Sequence, residues 1–115
     1  MVNSAKCSTT HAERVKSRWV HDQYRIYYMR EHINAMSDAL SDEVDLIGYT
    51  PWGCIDLVSA STGEMRKRYG MIYVDMDDEG QGTLERIRKD SFYWYQKCIK
   101  SQGTDLEQLL FRVYK

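Results

Sequence analysis

The chain has 115 residues, 43% of them hydrophobic, with nine tyrosines and a formal net charge of −1. That length holds one domain at most, and the composition is not the polar, highly charged one of disordered chains. A near-neutral balance excludes the basic excess of bulk nucleic-acid and membrane-surface binders, so neither partner is expected and any cationic site is local.

Cys7, Cys54 and Cys98 are odd in number and widely spaced. They suit free thiols in a reducing cytoplasm better than a disulfide framework. No cysteine pair has CxxC spacing and His11, His21 and His32 form no HExxH, so no metal and no other cofactor is expected. The opening MVNSAKCSTTHAERVKSRW lacks the apolar run of a signal peptide, and no stretch is long enough to span a bilayer.

In chain order, residues 1–20 are polar and aperiodic and read as a poorly specified lead segment. Asp22 is a candidate helix N-cap, although Arg25 stands where a capping box needs a glutamate. Ile26, Met29, Ile33, Met36 and Leu40 then step by three and four, which predicts a helix over 22–41 with His32 beside its apolar stripe as a hydrogen-bonded structural residue. VDLIGYT at 44–50 predicts a short buried strand, and helix, link and strand make an αβ unit. A long loop runs to Gly70. MIYVD at 71–75 predicts a second strand and DDEGQG at 77–82 a turn. A second helix is predicted to start between Thr83 and Lys89, with Leu84, Ile87, Ser91, Trp94 and Cys98 on its stripe and Gly103 as its C-cap. The tail from Thr104 is a candidate for a further short helix.

The loop with its flanks, YTPWGCIDLVSASTGEMRKRYG, sets a tryptophan beside the chain's only proline, then hydroxyls, then a cluster of cations. A loop that spends this many distinctive side chains suits the holding of a ligand. The next acidic stretch, from Asp75 to Gly80, imitates the start of a calcium loop. Arg86 stands where that loop needs a bidentate glutamate, so the reading is an acidic turn.

Tyr24-Arg25-Ile26, Arg30-Glu31-His32, DLIGYTPWGCIDLVSASTGEM, KRYG, IYVD and KDSFYWY follow one another in this order. The set resembles the last part of the family-1 glycoside hydrolases, and among them the bacterial 6-phospho-β-glucosidases, over about Val20 to Gly103. The resemblance implies an α/β fold: the C-terminal quarter of a (β/α)₈ barrel, whose whole takes about 250 residues. Residues 21–103 would hold the helix, the final barrel strand at 44–50, the loop at the active-site face, a hairpin arm and the last outer helix, with 104–115 as a tail. It also implies cleavage of 6-phospho-β-D-glucosides to glucose 6-phosphate and an aglycone.

The same resemblance assigns roles within the loop. Trp52 would stack on the pyranose, and Ser59, Lys67 and Tyr69 would hold the 6-phosphate. Phosphate suits them because charge-assisted hydrogen bonds are the strong ones. Ala60 stands where galactoside-cleaving relatives carry a tryptophan, which favours a gluco substrate. Arg66 and Arg68 read as solvated or structural.

Catalytic residues are expected to be none. Retaining glycosidases use two carboxyl groups about 5–5.5 Å apart, and the family places them in Asn-Glu-Pro and Glu-Asn-Gly motifs. The only proline follows Thr50, and neither Asn3 nor Asn34 adjoins a glutamate. Asp56 and Glu64 flank the loop without a spacing that pairs them, and Asp56 reads equally as the loop's anchor. Glu43 replaces the glycine usual after the first helix, which predicts a distorted cap. Three readings remain open: an enzyme fragment, a small non-catalytic phospho-sugar-binding module, and a helper completing a barrel whose N-terminal part is a separate chain. In isolation the 44–50 strand would lack neighbours, so an aggregation-prone or partly ordered chain is expected.

Overall fold

The computed structural model describes residues 19–107. It is an α/β unit of two helices and one two-stranded antiparallel sheet. The lead segment before Trp19 and most of the predicted tail helix lie outside the described residues; residues 104–107 are not helical.

Helix α1 spans Gln23–Ser41. The Asp22 carbonyl accepts the Arg25 and Ile26 amides at 2.9 and 3.4 Å and so starts the helix. Its carboxylate makes no cap within α1. It turns instead to helix α2, Asp90–Lys100, where it accepts the Ser91 amide at 2.8 Å and the Ser91 hydroxyl at 2.5 Å. One buried carboxylate thus ties the starts of both helices together. Of the predicted α1 stripe, Ile26 and Met29 are buried in a core with Met71, Trp94 and Cys98, and Ile33 packs against it. Leu40 at the far end is 55% exposed. The stripe is continuous, but only its N-terminal part meets the rest of the described fold.

Both helices end in Schellman geometry without glycine at the left-handed position. After α1, Glu43 takes φ 61°, the Val44 amide reaches Ala39 O at 3.0 Å and the Glu43 amide reaches Leu40 O at 3.1 Å. The cap expected to be distorted is therefore formed, with Glu43 carrying the strain a glycine would avoid. After α2, Gln102 at φ 54° occupies that position and Gly103 follows it, its amide 2.9 Å from Cys98 O.

Strands β1, Ile72–Val74, and β2, Arg86–Arg88, pair in the register Ile72↔Arg88, Tyr73↔Ile87 and Val74↔Arg86. β1 is the predicted second strand. β2 overturns the early start of the second helix: Ile87 lies in a strand, and Leu84 is half exposed at φ 60° before it. The hairpin link is an acidic turn. Asp77 Oδ1 accepts the Glu79 and Gln81 amides, and Asp75 Oδ2 accepts the Thr83 amide and hydroxyl. Gly82 is required there, since at φ 147° a Cβ would run into the Asp75 carbonyl.

Residues 44–50 are not a strand. They lie outside every ladder, and among the described residues the amides of 45–50 make no backbone hydrogen bond. A strand exists only through its neighbours, and the described chain offers none at this position. His32 is placed as expected, its ring 4.1 Å from that of Tyr28 and its Nδ1 3.5 Å from the Tyr49 hydroxyl.

Candidate functional site

The loop at 51–70 has almost no regular structure, a single 3₁₀ turn at Met65–Lys67 excepted. It is held by a buried charge cluster centred on Asp56. The Asp56 side chain is fully buried. It accepts the Lys89 ammonium at 2.7 Å, the Gly70 amide at 3.0 Å, and Arg68 Nη1 and the Val74 amide at 3.4 Å each. Lys89 Nζ also donates to Gly70 O at 2.7 Å and to Arg68 O at 3.3 Å. Arg68 spends its guanidinium on Val74 O and Met76 O, over the face of Tyr73. Burial pulls the Lys89 ammonium below its usual pKa, and the Asp56 charge opposes that pull.

The cluster closes the loop on itself. Asp56 lies near the loop's start and Gly70 at its end, and a Cβ on Gly70 would collide with the backbone of Ile55 and Asp56. The Asp56 amide adds a bond to Ile72 O at 2.8 Å, and Arg25 of α1 donates to Arg68 O at 2.6 Å. Asp56 is thus the anchor that the sequence suggested as one of its two readings. Its oxygens are engaged by four donors away from solvent, so it is no available nucleophile. Glu64 is only partly exposed and held by Thr62, Arg66 and Lys67, with hydrogen bonds from Thr62 and Arg66 lowering its pKa.

The candidate ligand residues stand on this frame. Trp52 is 66% exposed at the rim. The adjoining Gly53 lies against the Tyr69 backbone, with its Cβ position 3.6 Å from the Tyr69 carbonyl carbon. Ser59 is buried; its amide bonds Glu64 O at 3.1 Å, and its hydroxyl is 3.3 Å from that of Ser61. Ala60 is exposed at the loop tip and Tyr69 is half-buried. Lys67 is exposed, its Nζ 3.3 Å from the Glu64 carboxylate. Glu64 therefore brings Ser59 and Lys67 to one end of the loop, and Gly53 brings Trp52 to Tyr69 at the other. No described contact joins the two pairs. Arg66 is exposed and paired with Glu64 and Asp78, whereas Arg68 is structural. Lys89 was not foreseen, and nothing in KDSF marks its first residue as buried.

A profile of glycosyl hydrolase family 1 matches residues 5–104. The chain belongs to this family. Among its relatives, the 6-phospho-beta-glucosidase AscB of Escherichia coli (strain K12) is 65% identical over 88 residues, covering 76% of this chain and 19% of the relative. The 6-phospho-beta-glucosidase of Clostridium longisporum is 54% identical over 92 residues, 80% of this chain and 20% of the relative. A 6-phospho-beta-galactosidase of Streptococcus mutans is 42% identical over 86 residues, 75% of this chain and 17% of the relative. This family-1 chain spans about one fifth of the length of the curated relatives it matches. No helix among its described residues is long and apolar enough to cross a membrane.

Proposed function

We propose that this chain is the C-terminal quarter of a 6-phospho-β-glucosidase barrel and supplies the loop that grips the phosphorylated sugar. The observation that carries the reading is the 65% identity to a 6-phospho-beta-glucosidase. A match of 88 residues in a chain of 115 necessarily includes the loop at 51–70. The barrel would cleave a 6-phospho-β-D-glucoside to glucose 6-phosphate and an aglycone. Lacking the family's Glu-Asn-Gly and Asn-Glu-Pro glutamates, the chain does no chemistry alone. The free thiols of Cys54 and Cys98 suit the cytoplasm as its compartment.

In this reading Trp52 offers its exposed face to the pyranose, Ala60 leaves room for a gluco ring, and Ser59, Lys67 and Tyr69 receive the 6-phosphate. Lys67 must exchange Glu64 for that phosphate. The exchange is easy, because solvent screens an exposed pair at 3.3 Å and holds it weakly. A phosphate oxygen on the ammonium contributes about 1.5–3 kcal/mol.

The test joins the chain to the upstream part of a family-1 relative as one continuous barrel. Lys67→Ala is then expected to lower kcat/KM for a chromogenic 6-phospho-β-glucoside by about ten- to two-hundred-fold. The unphosphorylated glucoside should hardly change. Equal losses on both substrates would remove Lys67 from the phosphate site.

A further inference from the structure

The 3₁₀ turn at Met65–Lys67 is not capped from within: Glu64 stands at its N-cap position and its side chain makes no cap bond. The bond comes instead from the hairpin turn. Asp78 Oδ1 accepts the Arg66 amide at 2.8 Å from twelve residues away in the chain, and Asp78 Oδ2 lies 3.5 Å from Arg66 Nε. Asp77 orders that turn through the Glu79 and Gln81 amides, so the neighbouring carboxylate is presented from a fixed frame. On the other side of Lys67, Arg68 donates through Nη2 to Met76 O at 2.9 Å. Residues 66 and 68 are thus both tied to the hairpin, and Lys67 is carried between the two ties.

The two exposed cations of the turn are not equivalent. The Arg66 guanidinium lies between Glu64 and Asp78, whereas the described ion pair of Lys67 is with Glu64. Arg66 is neutralised in place, which makes Lys67 the more open of the two to an incoming phosphate. An ammonium is a point charge on a flexible stem, so its reach is set by where its backbone stands. We infer that Asp78 is a positioning residue for the phosphate site. By capping the 3₁₀ turn from the hairpin it fixes the place of Lys67, and with it the preference for phosphorylated over plain glucosides. This deepens the function proposed above and rests on it. The opposite role, a carboxylate that repels phosphate, has the opposite sign: its removal would raise that preference.

The experiment uses the continuous barrel described above and compares kcat/KM for a 6-phospho-β-glucoside with that for its unphosphorylated counterpart. Asp78→Ala is expected to lower the ratio of the two by about two- to thirty-fold, the effect of one lost cap. Asp78→Asn keeps an oxygen for the Arg66 amide and drops the charge, so it should restore most of the ratio. Hydrogen exchange of the Arg66 amide should quicken in Asp78→Ala and not in Asp78→Asn. Equal losses on both substrates would make Asp78 merely structural, and a raised ratio would make it a repelling charge. An asparagine no better than alanine would show that the amide bond is not the cause. Each of these overturns the inference. Lys67→Ala, measured beside them, separates the two proposals. If it lowers the ratio and Asp78→Ala does not, the inference falls and the proposed function stands. If it lowers both activities alike, the phosphate role of Lys67 falls and the inference with it.

Discussion

The segment at 44–50 and the loop at 51–70 are consecutive in the chain, and neither forms a helix or strand beyond a single 3₁₀ turn. They are nonetheless opposite in kind. The loop has a buried carboxylate, two buried cations and a set of satisfied backbone groups at its centre. The segment has apolar side chains in solvent, and its amides from 45 to 50 have no backbone partner among the described residues. Irregular backbone keeps a defined path when its polar groups find partners within the chain. An extended apolar segment has no such local recourse. The loop's structure is intrinsic to this chain, and that of the segment is conditional on something packed against it.

The largest effect should come from the loop's anchor. Asp56→Ala leaves Lys89 and Arg68 buried without their carboxylate, and removing one partner of a buried pair typically costs about 3–5 kcal/mol. We expect Asp56→Ala to lower the unfolding free energy obtained from urea titration by that margin, and Asp56→Asn by less. A loss below about 1 kcal/mol would show that the cluster only accompanies the loop's order and does not cause it.

The contrast between the two regions was only partly legible in the sequence. Helix α1 was, because five apolar residues keep one helical stride; β1 and the acidic turn were, because short apolar runs and glycines punctuate them. β2 was not. Leu84, Ile87, Ser91 and Trp94 fall by coincidence at helical spacing across a hairpin arm and a helix start, and three residues are too few to display a period of two. The 44–50 strand was read from apolar character, which states what the segment suits, whereas its existence depends on neighbours. In the site, residue types come with the family resemblance, and the place of Asp56 beside the loop suits an anchor. The pairing of Lys67 with Glu64 and the burial of Lys89 depend on how the loop closes, which spacing does not encode.

A second, smaller effect concerns the joint that carries the loop's frame. Burial raises the Asp22 carboxyl to about 6, against the lowering influence of Ser91, Lys89 and Arg25. The folded chain therefore holds this proton more tightly than the unfolded chain, whose value is 3.8. Its contribution is fully present below pH 3.8 and is lost as pH rises to about 6, a change of about 3 kcal/mol. Asp22→Asn should remove that slope from a plot of stability against pH. If the slope survives the substitution, another group is its source.

At the boundary between α1 and the bare segment, Glu43 holds a left-handed conformation at φ 61°. Glycine adopts it without the Cβ clash, so Glu43→Gly should stabilise the chain by about 1 kcal/mol in thermal or urea melts. The gain belongs to the helix end alone, because the Schellman bonds from Val44 and Glu43 are backbone bonds that glycine keeps. A loss of stability would mean that the Glu43 side chain does something its exposed position does not suggest.

The smallest effect is expected in the segment itself, and there the comparison is most exposed to failure. Ile47 is 99% exposed, so Ile47→Ser removes no packing, and surface changes of this kind stay within about 0.5 kcal/mol. Hydrogen exchange should agree. The amides of 45–50 have no backbone partner among the described residues and should exchange at rates near those of an unfolded chain. The Gly70, Ile72 and Lys89 amides are bonded to Asp56 Oδ1, Cys54 O and Met71 O and should be protected. Slow exchange across 44–50 in the chain alone, together with a sharp two-state melt, would show that the segment is already covered. The distinction between an intrinsic loop and a conditional strand would then fail, and the chain would be a domain complete in itself.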